Sequence, residues 1–505
     1  MIRKSIYIGF LLVCPLLTTA RQPALQELDA FIARQVKDYK MPGLAIGIIK
    51  NKKLLFKKGY GLTDLATGQP VTTQTVFPIS SCTKAFTATA LAMLVAENKL
   101  SWDDKVIKHL PDFALSDPWI TKELTITDLL SHRTGLATFD GDLLFYGTNY
   151  TRKQIVDKMR FSPIRNEFRA EMGYNNIMYV AAGLVVEAVS GQSWENFIHS
   201  RIFDQLNMKE SYTDRQWLKP GSNFALPHIR NKPIATVSMV NTAPAGGIDA
   251  STDDMLKWLE LWLSDGMAGD KRLINLQDIA TMTSLKVMTS ADGDEGYGLG
   301  WFIRYENGKK IVHHSGGMPG YQSGVVLYPE TGSGIVILTN KISGINDELI
   351  AVIQEYLEKP DMFNWKSADA RMTSKGVVYD WDKARKEISA SRSDVAGFKE
   401  YLGTYVDAVY GGAVMRYENG KPFLELLPAK GLFSGFLQSD GKDTMDVVFK
   451  DPFISPGHVI FDRDVNGKIK GFKLDIDSDD FLFGDLDFKK HDNVKHCKRL
   501  PGNGS

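Results

Sequence analysis

The stretch Phe77-Pro78-Ile79-Ser80-Ser81-Cys82-Thr83-Lys84 opens a segment in which Phe86, Ala90, Leu91, Leu94 and Val95 recur at three- and four-residue spacing. That period is helical, so a helix is predicted after Ser81 with a Ser-x-x-Lys tetrad at its start. Residues three apart share a helix face, which places the Lys84 amine beside the Ser81 hydroxyl, where it can accept the proton. Burial favours a neutral amine, and a helix N-terminus favours a developing oxyanion. The tetrad alone says little, because Ser439-Asp440-Gly441-Lys442 matches it too. Asp440 and Gly441 put that second copy in a hairpin turn, where nothing holds the two side chains together.

Upstream, residues 44–61 read as a hairpin: the apolar run Leu44-Ala45-Ile46-Gly47-Ile48-Ile49, the polar turn Asn51-Lys52-Lys53, then a second strand. From about 100 to 290 the pattern is mostly helical, broken by Pro and Gly. Strands are expected at 299–304, 310–314, 324–327 and 335–338, then a helix over 346–358 ended by Pro360. Residues 361–390 are polar and irregular and suggest a connector. Beyond it the pattern is almost purely β, with turn signals at Asn419-Gly420 and Asn466-Gly467, enough for a small barrel over 391–490 followed by a tail, 491–505.

The whole chain has 505 residues, too many for one ordinary core. Lys plus Arg and Asp plus Glu number 60 each, which leaves no electrostatic footprint for a nucleic acid. Residues 1–20 carry Arg3 and Lys4, an apolar run from Ile6 to Leu17 and the small residues Thr18-Thr19-Ala20. This is the pattern of a secretory signal peptide, with secreted or periplasmic delivery and no membrane span after its removal. The run is shorter than the ~20 apolar residues that cross a bilayer. Cys82 and Cys497 would remain, too few for a disulfide framework.

Several segments then fall in an order that resembles one family. Ser81–Ala88 is similar to the nucleophile segment of class C β-lactamases and their peptidase relatives in the penicillin-binding protein superfamily. Thr125–Leu136 resembles that family's helix-and-turn segment, Tyr174-Asn175-Asn176 its Tyr-x-Asn motif, Ala245–Ile248 a further match, and His314-Ser315-Gly316-Gly317 its third motif. Residues 401–411 resemble the lipocalin-like β domain often appended to these hydrolases.

The resemblance implies an α+β, β-lactamase-like domain over 21–360, an antiparallel sheet flanked by helices, followed by a small all-β barrel. It also implies an acyl-enzyme on Ser81. Lys84 and Tyr174 would take its proton and return it to the leaving group, and the N–H groups of Ser81 and Gly317 would form an oxyanion hole. Asn176, His314, Ser315 and Gly316 would contact substrate. His314 stands where the lactamases have lysine and resembles the DD-peptidase, D-aminopeptidase and esterase branch. Near-neutral histidine would anchor a carboxylate weakly or in a pH-dependent way. His313 and His314 are adjacent on a strand and point to opposite faces, and the motif selects His314.

No Gly-x-Ser-x-Gly, His-Glu-x-x-His, paired Cys-x-x-Cys or phosphate-binding glycine loop occurs, so no metal or cofactor is expected. The expected activity is hydrolysis of an amide or ester in a small-molecule or peptide substrate, foremost short or peptidoglycan-derived peptides. Carboxylesterase, β-lactamase and non-turnover penicillin-binding sensor remain as alternatives, and the oligomeric state is open. N-terminal sequencing of the exported protein is expected to read from close to Arg21; a product still beginning at Met1 would remove the signal peptide.

Overall fold

A computed structural model of the chain describes residues 21–218, 221–289, 293–373, 375, 397–439 and 443–491. The expected signal peptide, most of the connector, the Asp440–Lys442 turn and Cys497 with the tail beyond residue 491 lie outside the described residues.

The first domain is built on an eight-stranded antiparallel sheet. Helix α1 (Arg21–Asp38) precedes the hairpin of β1 (Gly43–Lys50) and β2 (Lys53–Gly61). Asn51 and Lys52, with φ of 51° and 58°, form its tight turn. Helices α2 (Thr83–Ala96), α3 (Asn176–Ser190) and α4 (Thr252–Leu263) follow. The chain then returns through β3 (Val287–Met288), β4 (Glu295–Tyr297), β5 (Phe302–Glu306), β6 (Lys309–Met318), β7 (Tyr321–Tyr328) and β8 (Ser333–Thr339). Strand order is β3-β4-β5-β6-β7-β8-β1-β2, so the N-terminal hairpin closes the sheet against β8.

Both faces of this sheet are covered, which explains strands that read as unbroken apolar runs rather than alternating ones. Leu44, Ile46, Ile48, Val326, Ile335 and Ile337 pack with Phe31 and Ile32 of α1 and with Leu349 and Ile353 of α5 (Ile345–Glu358). Their neighbours Ala45, Ile49, Val325, Leu327, Val336 and Leu338 pack on the other face into the core that holds α2, α3 and α4. Phe86 of α2 stacks on Trp258 of α4 with centroids 3.8 Å apart. Helix α3 starts at an Asn175 cap that accepts from the Met178 N–H and stops at Gly191, φ 70°.

The first part of the expected connector is packed instead of free. Helix α6 (Trp365–Asp369) places the Trp365 ring 5.1 Å from Phe31 and 5.2 Å from Tyr356, and Asp369 accepts from Gln35 at 2.6 Å. Phe363, just before the helix, and Trp365, its first residue, are the apolar signal within an otherwise polar stretch.

The second domain is a closed antiparallel barrel of strands β9 (Gly403–Asp407), β10 (Gly411–Glu418), β11 (Lys421–Leu426), β12 (Ser434–Ser439), β13 (Thr444–Val447), β14 (Gly457–Arg463), β15 (Ile469–Asp475) and β16 (Asp487–His491). Inward residues such as Tyr405, Met415, Leu424, Phe461, Phe472 and Phe488 fill it. Asn419 and Gly420 make the two-residue turn between β10 and β11.

The barrel docks on residues 140–165 and shares one apolar cluster with the first domain. Tyr146 lies 4.6 Å from the Phe481 ring and 5.9 Å from Phe433. The Tyr150 hydroxyl donates to the Tyr410 carbonyl at 2.8 Å, Lys158 donates to the Val409 carbonyl at 2.9 Å, and Arg165 bridges Asp140 and Asp485. Gly147, at φ 66°, lets Leu432 approach to 2.3 Å of where a Cβ would stand. Gly147→Val is therefore expected to cost about 2 kcal/mol or more through backbone strain and overpacking. Calorimetry would show a Tm lowered by several degrees; an unchanged Tm would mean that the two domains do not pack through this contact.

Candidate active site

Ser81 sits in a single 3₁₀ turn, Ser80–Cys82, that leads directly into α2. Ser80 has a φ of +46°, a left-handed conformation uncommon for a side chain with a Cβ. The turn is held by its surroundings: Ile79 N–H donates to the Ile248 carbonyl at 2.9 Å, Ser323 donates to the Ile79 carbonyl at 2.7 Å, and Ile248 N–H donates to Thr83 at 3.1 Å. Strand β6 lies so close that a Cβ on Gly316 would stand 2.8 Å from the Ser81 nitrogen and 2.5 Å from the Ile79 carbonyl oxygen. Only glycine fits at 316, which gives the first glycine of the Ser-Gly-Gly run its physical reason.

Lys84, 0% exposed, points back at Ser81. Its Nζ donates to Ser81 Oγ at 3.1 Å, to Asn176 Oδ1 at 2.6 Å and to the Ala245 carbonyl at 2.9 Å. Desolvation lowers its pKa to about 7, against an opposing pull from Asp142. Near neutral pH much of the amine is therefore unprotonated and can accept the serine proton.

Tyr174 places its ring 4.8 Å from Lys84 Nζ and lines the same cavity as Ser81. Burial pushes its pKa well above the ordinary phenol value, which favours the neutral phenol over the phenolate. Asn176 bridges Lys84 to a residue the sequence did not single out: its Nδ2 donates to Asp142 Oδ2 at 2.7 Å. The Tyr-x-Asn segment is fixed by His132, whose Nδ1 accepts from the Asn175 N–H at 3.0 Å and whose ring lies 4.3 Å from that of Tyr174. His132 lies inside Thr125–Leu136, but no spacing in the sequence ties it to residue 174.

His314 departs from expectation. It is 2% exposed, with Nδ1 donating to the Ser315 carbonyl at 2.5 Å and Nε2 facing the Tyr297 hydroxyl at 2.9 Å. Both ring nitrogens are thus used inside the protein, and desolvation lowers the pKa to about 3. Of the two expected consequences of histidine here, weak anchoring of a carboxylate and pH-dependent anchoring, burial favours the first, because it holds the ring in its neutral form. His313 lies on the other face against Glu295, at 2.7 Å.

Ser81, Tyr174, Asn176, His314, Ser315, Gly316 and Gly317 line one cavity of about 290 Å³, with Lys84 behind its wall. Aromatic side chains Phe139, Phe145, Tyr146 and Phe302 form its sides, and Phe453, Asp480 and Phe481 reach in from the barrel. No Lys or Arg is among these lining residues. Among the described residues no group of three or more His, Cys, Asp or Glu is arranged to hold a metal, and no helix is long and apolar enough to cross a membrane.

An α+β domain presenting Ser-x-x-Lys, Tyr-x-Asn and a glycine-rich strand edge around one cavity defines a serine hydrolase of the penicillin-binding protein and β-lactamase superfamily. The Beta-lactamase family model matches residues 28–355, and the chain belongs to that family. It is similar to Unguisins hydrolase ungD' of Aspergillus campestris, 26% identical over 370 residues and 68% of each chain. It is also similar to Protein flp of Staphylococcus aureus, 27% identical over 340 residues, 66% of this chain and 65% of that relative. It thus spans about two thirds of these curated relatives' own length. In fold it is similar to the octameric penicillin-binding protein homologue from Pyrococcus abyssi, with a TM-score of 0.59 at 23% identity over 92% of this chain and 100% of that one.

The acylation rate is expected to rise with pH through an inflection near 7, as the Lys84 ammonium gives up its proton and becomes able to accept one. Stopped-flow acylation between pH 5.5 and 8.5 measures it. His314, neutral throughout, should add no second inflection, and a flat profile would exclude Lys84 as the base.

Proposed function

We propose that the chain hydrolyses an amide or ester bond through an acyl-enzyme on Ser81 and acts as a peptidase on short peptides. The observation that carries this is the 3.1 Å contact between Lys84 Nζ and Ser81 Oγ at the base of a cavity. Ser81 Oγ attacks the substrate carbonyl while Lys84 takes its proton. The N–H groups of Ser81 and Gly317 receive the oxyanion, and Tyr174 relays the proton to the leaving group. Water then attacks the acyl-enzyme by the reverse sequence. Asn176 positions Lys84 and keeps one further amide N–H for a substrate carbonyl.

Strand β6 supports a peptide substrate. Its pairing with β5 ends at His313, leaving the Ser315–Met318 edge facing the cavity, where an extended peptide can add as a further strand. The small volume and the barrel side chains that close it favour short chains. A β-lactamase is disfavoured, since His314, held neutral by burial, supplies no cation for a β-lactam carboxylate. The signal-like stretch at 1–20 supports action outside the cytoplasm.

A fluorophosphonate is expected to label the peptide that carries Ser81, and Ser81→Ala to abolish labelling. Lys84→Ala should slow acylation by several orders of magnitude, because the two act as a unit. Mass spectrometry of the labelled protein decides; labelling that survives Ser81→Ala would overturn the assignment.

A further inference from the structure

Tyr174 is held from both sides by one residue. His132 accepts the Gly173 N–H at its backbone carbonyl, 2.8 Å away, and the Asn175 N–H at its ring Nδ1, 3.0 Å away. Its ring centroid then lies 4.3 Å from that of Tyr174. The chain is shaped for this contact: His132 has a φ of +60°, and a Cβ on Gly173 would run into the Leu136 carbonyl oxygen. A left-handed histidine and a glycine with no room for a side chain mark a close approach enforced by its surroundings. Tyr174 is tied to the same loop, its N–H donating to Thr138 Oγ1 at 3.2 Å and its carbonyl accepting from the Phe139 N–H at 2.8 Å.

The ring can make this contact in one form only. Nδ1 accepts a backbone N–H and so carries no proton, which puts the hydrogen of the neutral tautomer on Nε2. His132 is fully buried, and desolvation, with the Lys84 amine nearby, holds its pKa well below the ordinary imidazole value. Nε2 has no hydrogen-bond partner and is enclosed by the rings of Tyr174, Tyr179 and Tyr297. That leaves the ring no route for passing a proton to substrate. What it can do is place Tyr174, whose ring stands 4.8 Å from Lys84 Nζ and lines the cavity of Ser81.

We propose that His132 is a positioning residue for the Tyr174 relay: by holding both neighbours of the phenol it governs delivery of a proton to a basic leaving group, and not the attack by Ser81. This deepens the proposed function and rests on the acyl-enzyme at Ser81. In that sequence Lys84 takes the Ser81 proton as the ester bond to the acyl group forms, and the proton reaches the leaving nitrogen through Tyr174 as the C–N bond breaks. An amine does not leave without it. A p-nitrophenolate departs as a stable anion and needs none, so a misplaced phenol slows amide cleavage and spares acylation by an activated ester.

The test compares the p-nitroanilide and the p-nitrophenyl ester of N-acetylalanine, in L and D forms, on the full chain. His132→Leu is expected to lower the anilide-to-ester ratio of kcat/KM by about a hundredfold, the usual worth of a placed general acid. His132→Asn, which keeps an acceptor at the Nδ1 position and tolerates the left-handed backbone, should restore the ratio to within about tenfold of wild type. In a Tyr174→Phe background neither change should lower the ratio further, because the relay is already gone. If His132→Leu does not fold, His132→Gln, whose acceptor lies one bond too far out, replaces it with the same expectation. Equal losses on anilide and ester, no rescue by His132→Asn, or a further fall in the Tyr174→Phe background would overturn the positioning role. Fluorophosphonate labelling of Ser81 in the same variants keeps the two readings apart: labelled Ser81 leaves the nucleophile in place, and its absence in the wild type would overturn both.

Discussion

A lysine amine with no water around it is the constraint on which the rest of the site depends. Lys84 Nζ is enclosed by three acceptors, one local and two from distant segments: Ser81 Oγ on the preceding turn, Asn176 Oδ1 at the start of α3, and the Ala245 carbonyl. None of the three is charged, so the ammonium form is under-compensated and the amine is pushed toward neutrality. Asp142 stands one bond away, behind Asn176, and moderates that push. Direct contact with a carboxylate would stabilise the ammonium and remove the base. An intervening amide lets the negative charge tune the lysine without capturing its proton.

Holding those acceptors in place requires a rigid surround, and the sheet supplies it. Strand β6 is central in the sheet, paired to β7 from Val312 to Met318, and Gly316 lets its backbone press against the nucleophile turn. The left-handed Ser80 is then maintained by bonds from Ser323, Ile248 and Thr83 and not by its own preference. Helices α2 and α3 sit in the core below. A strained residue beside the nucleophile persists because its neighbours over-determine it.

Much of this was legible in the sequence, and the residues show why. Ser81, Lys84, Tyr174, Asn176 and the Ser-Gly-Gly run are tied to local patterns: a helix period, a helix start, a strand edge. The hairpin at 44–61 and the strand at 335–338 were readable from apolar runs because both sheet faces are buried. What stayed hidden depends on contacts across long separations. Asp142 and His132 are single residues in loops, given meaning only by Asn176 and Asn175. Asp480 belongs to another domain. The neutral state of His314 could not be read from its motif, because it follows from Tyr297 and from burial. Helix α6 was missed because two aromatics in a polar stretch do not make a period.

The division of labour between the domains follows from the same geometry. Ser81, Lys84, Tyr174 and Asn176 all come from the first domain, on the 3₁₀ turn, in α2, in the loop before α3 and at its start, and proton exchange among such groups would need placement to within about half an ångström. The groups that reach the cavity from the barrel, Phe453, Asp480 and Phe481, all lie in connections between barrel strands. A barrel ladder fixes its strands by backbone pairing but leaves such connections free to differ. Changing those loops would alter the charge and width of the cavity mouth without touching Lys84 or the turn that carries Ser81. Docking through Tyr146, whose ring meets both Phe433 and Phe481, couples the two parts, since the side chain that seats the barrel also forms part of the cavity wall.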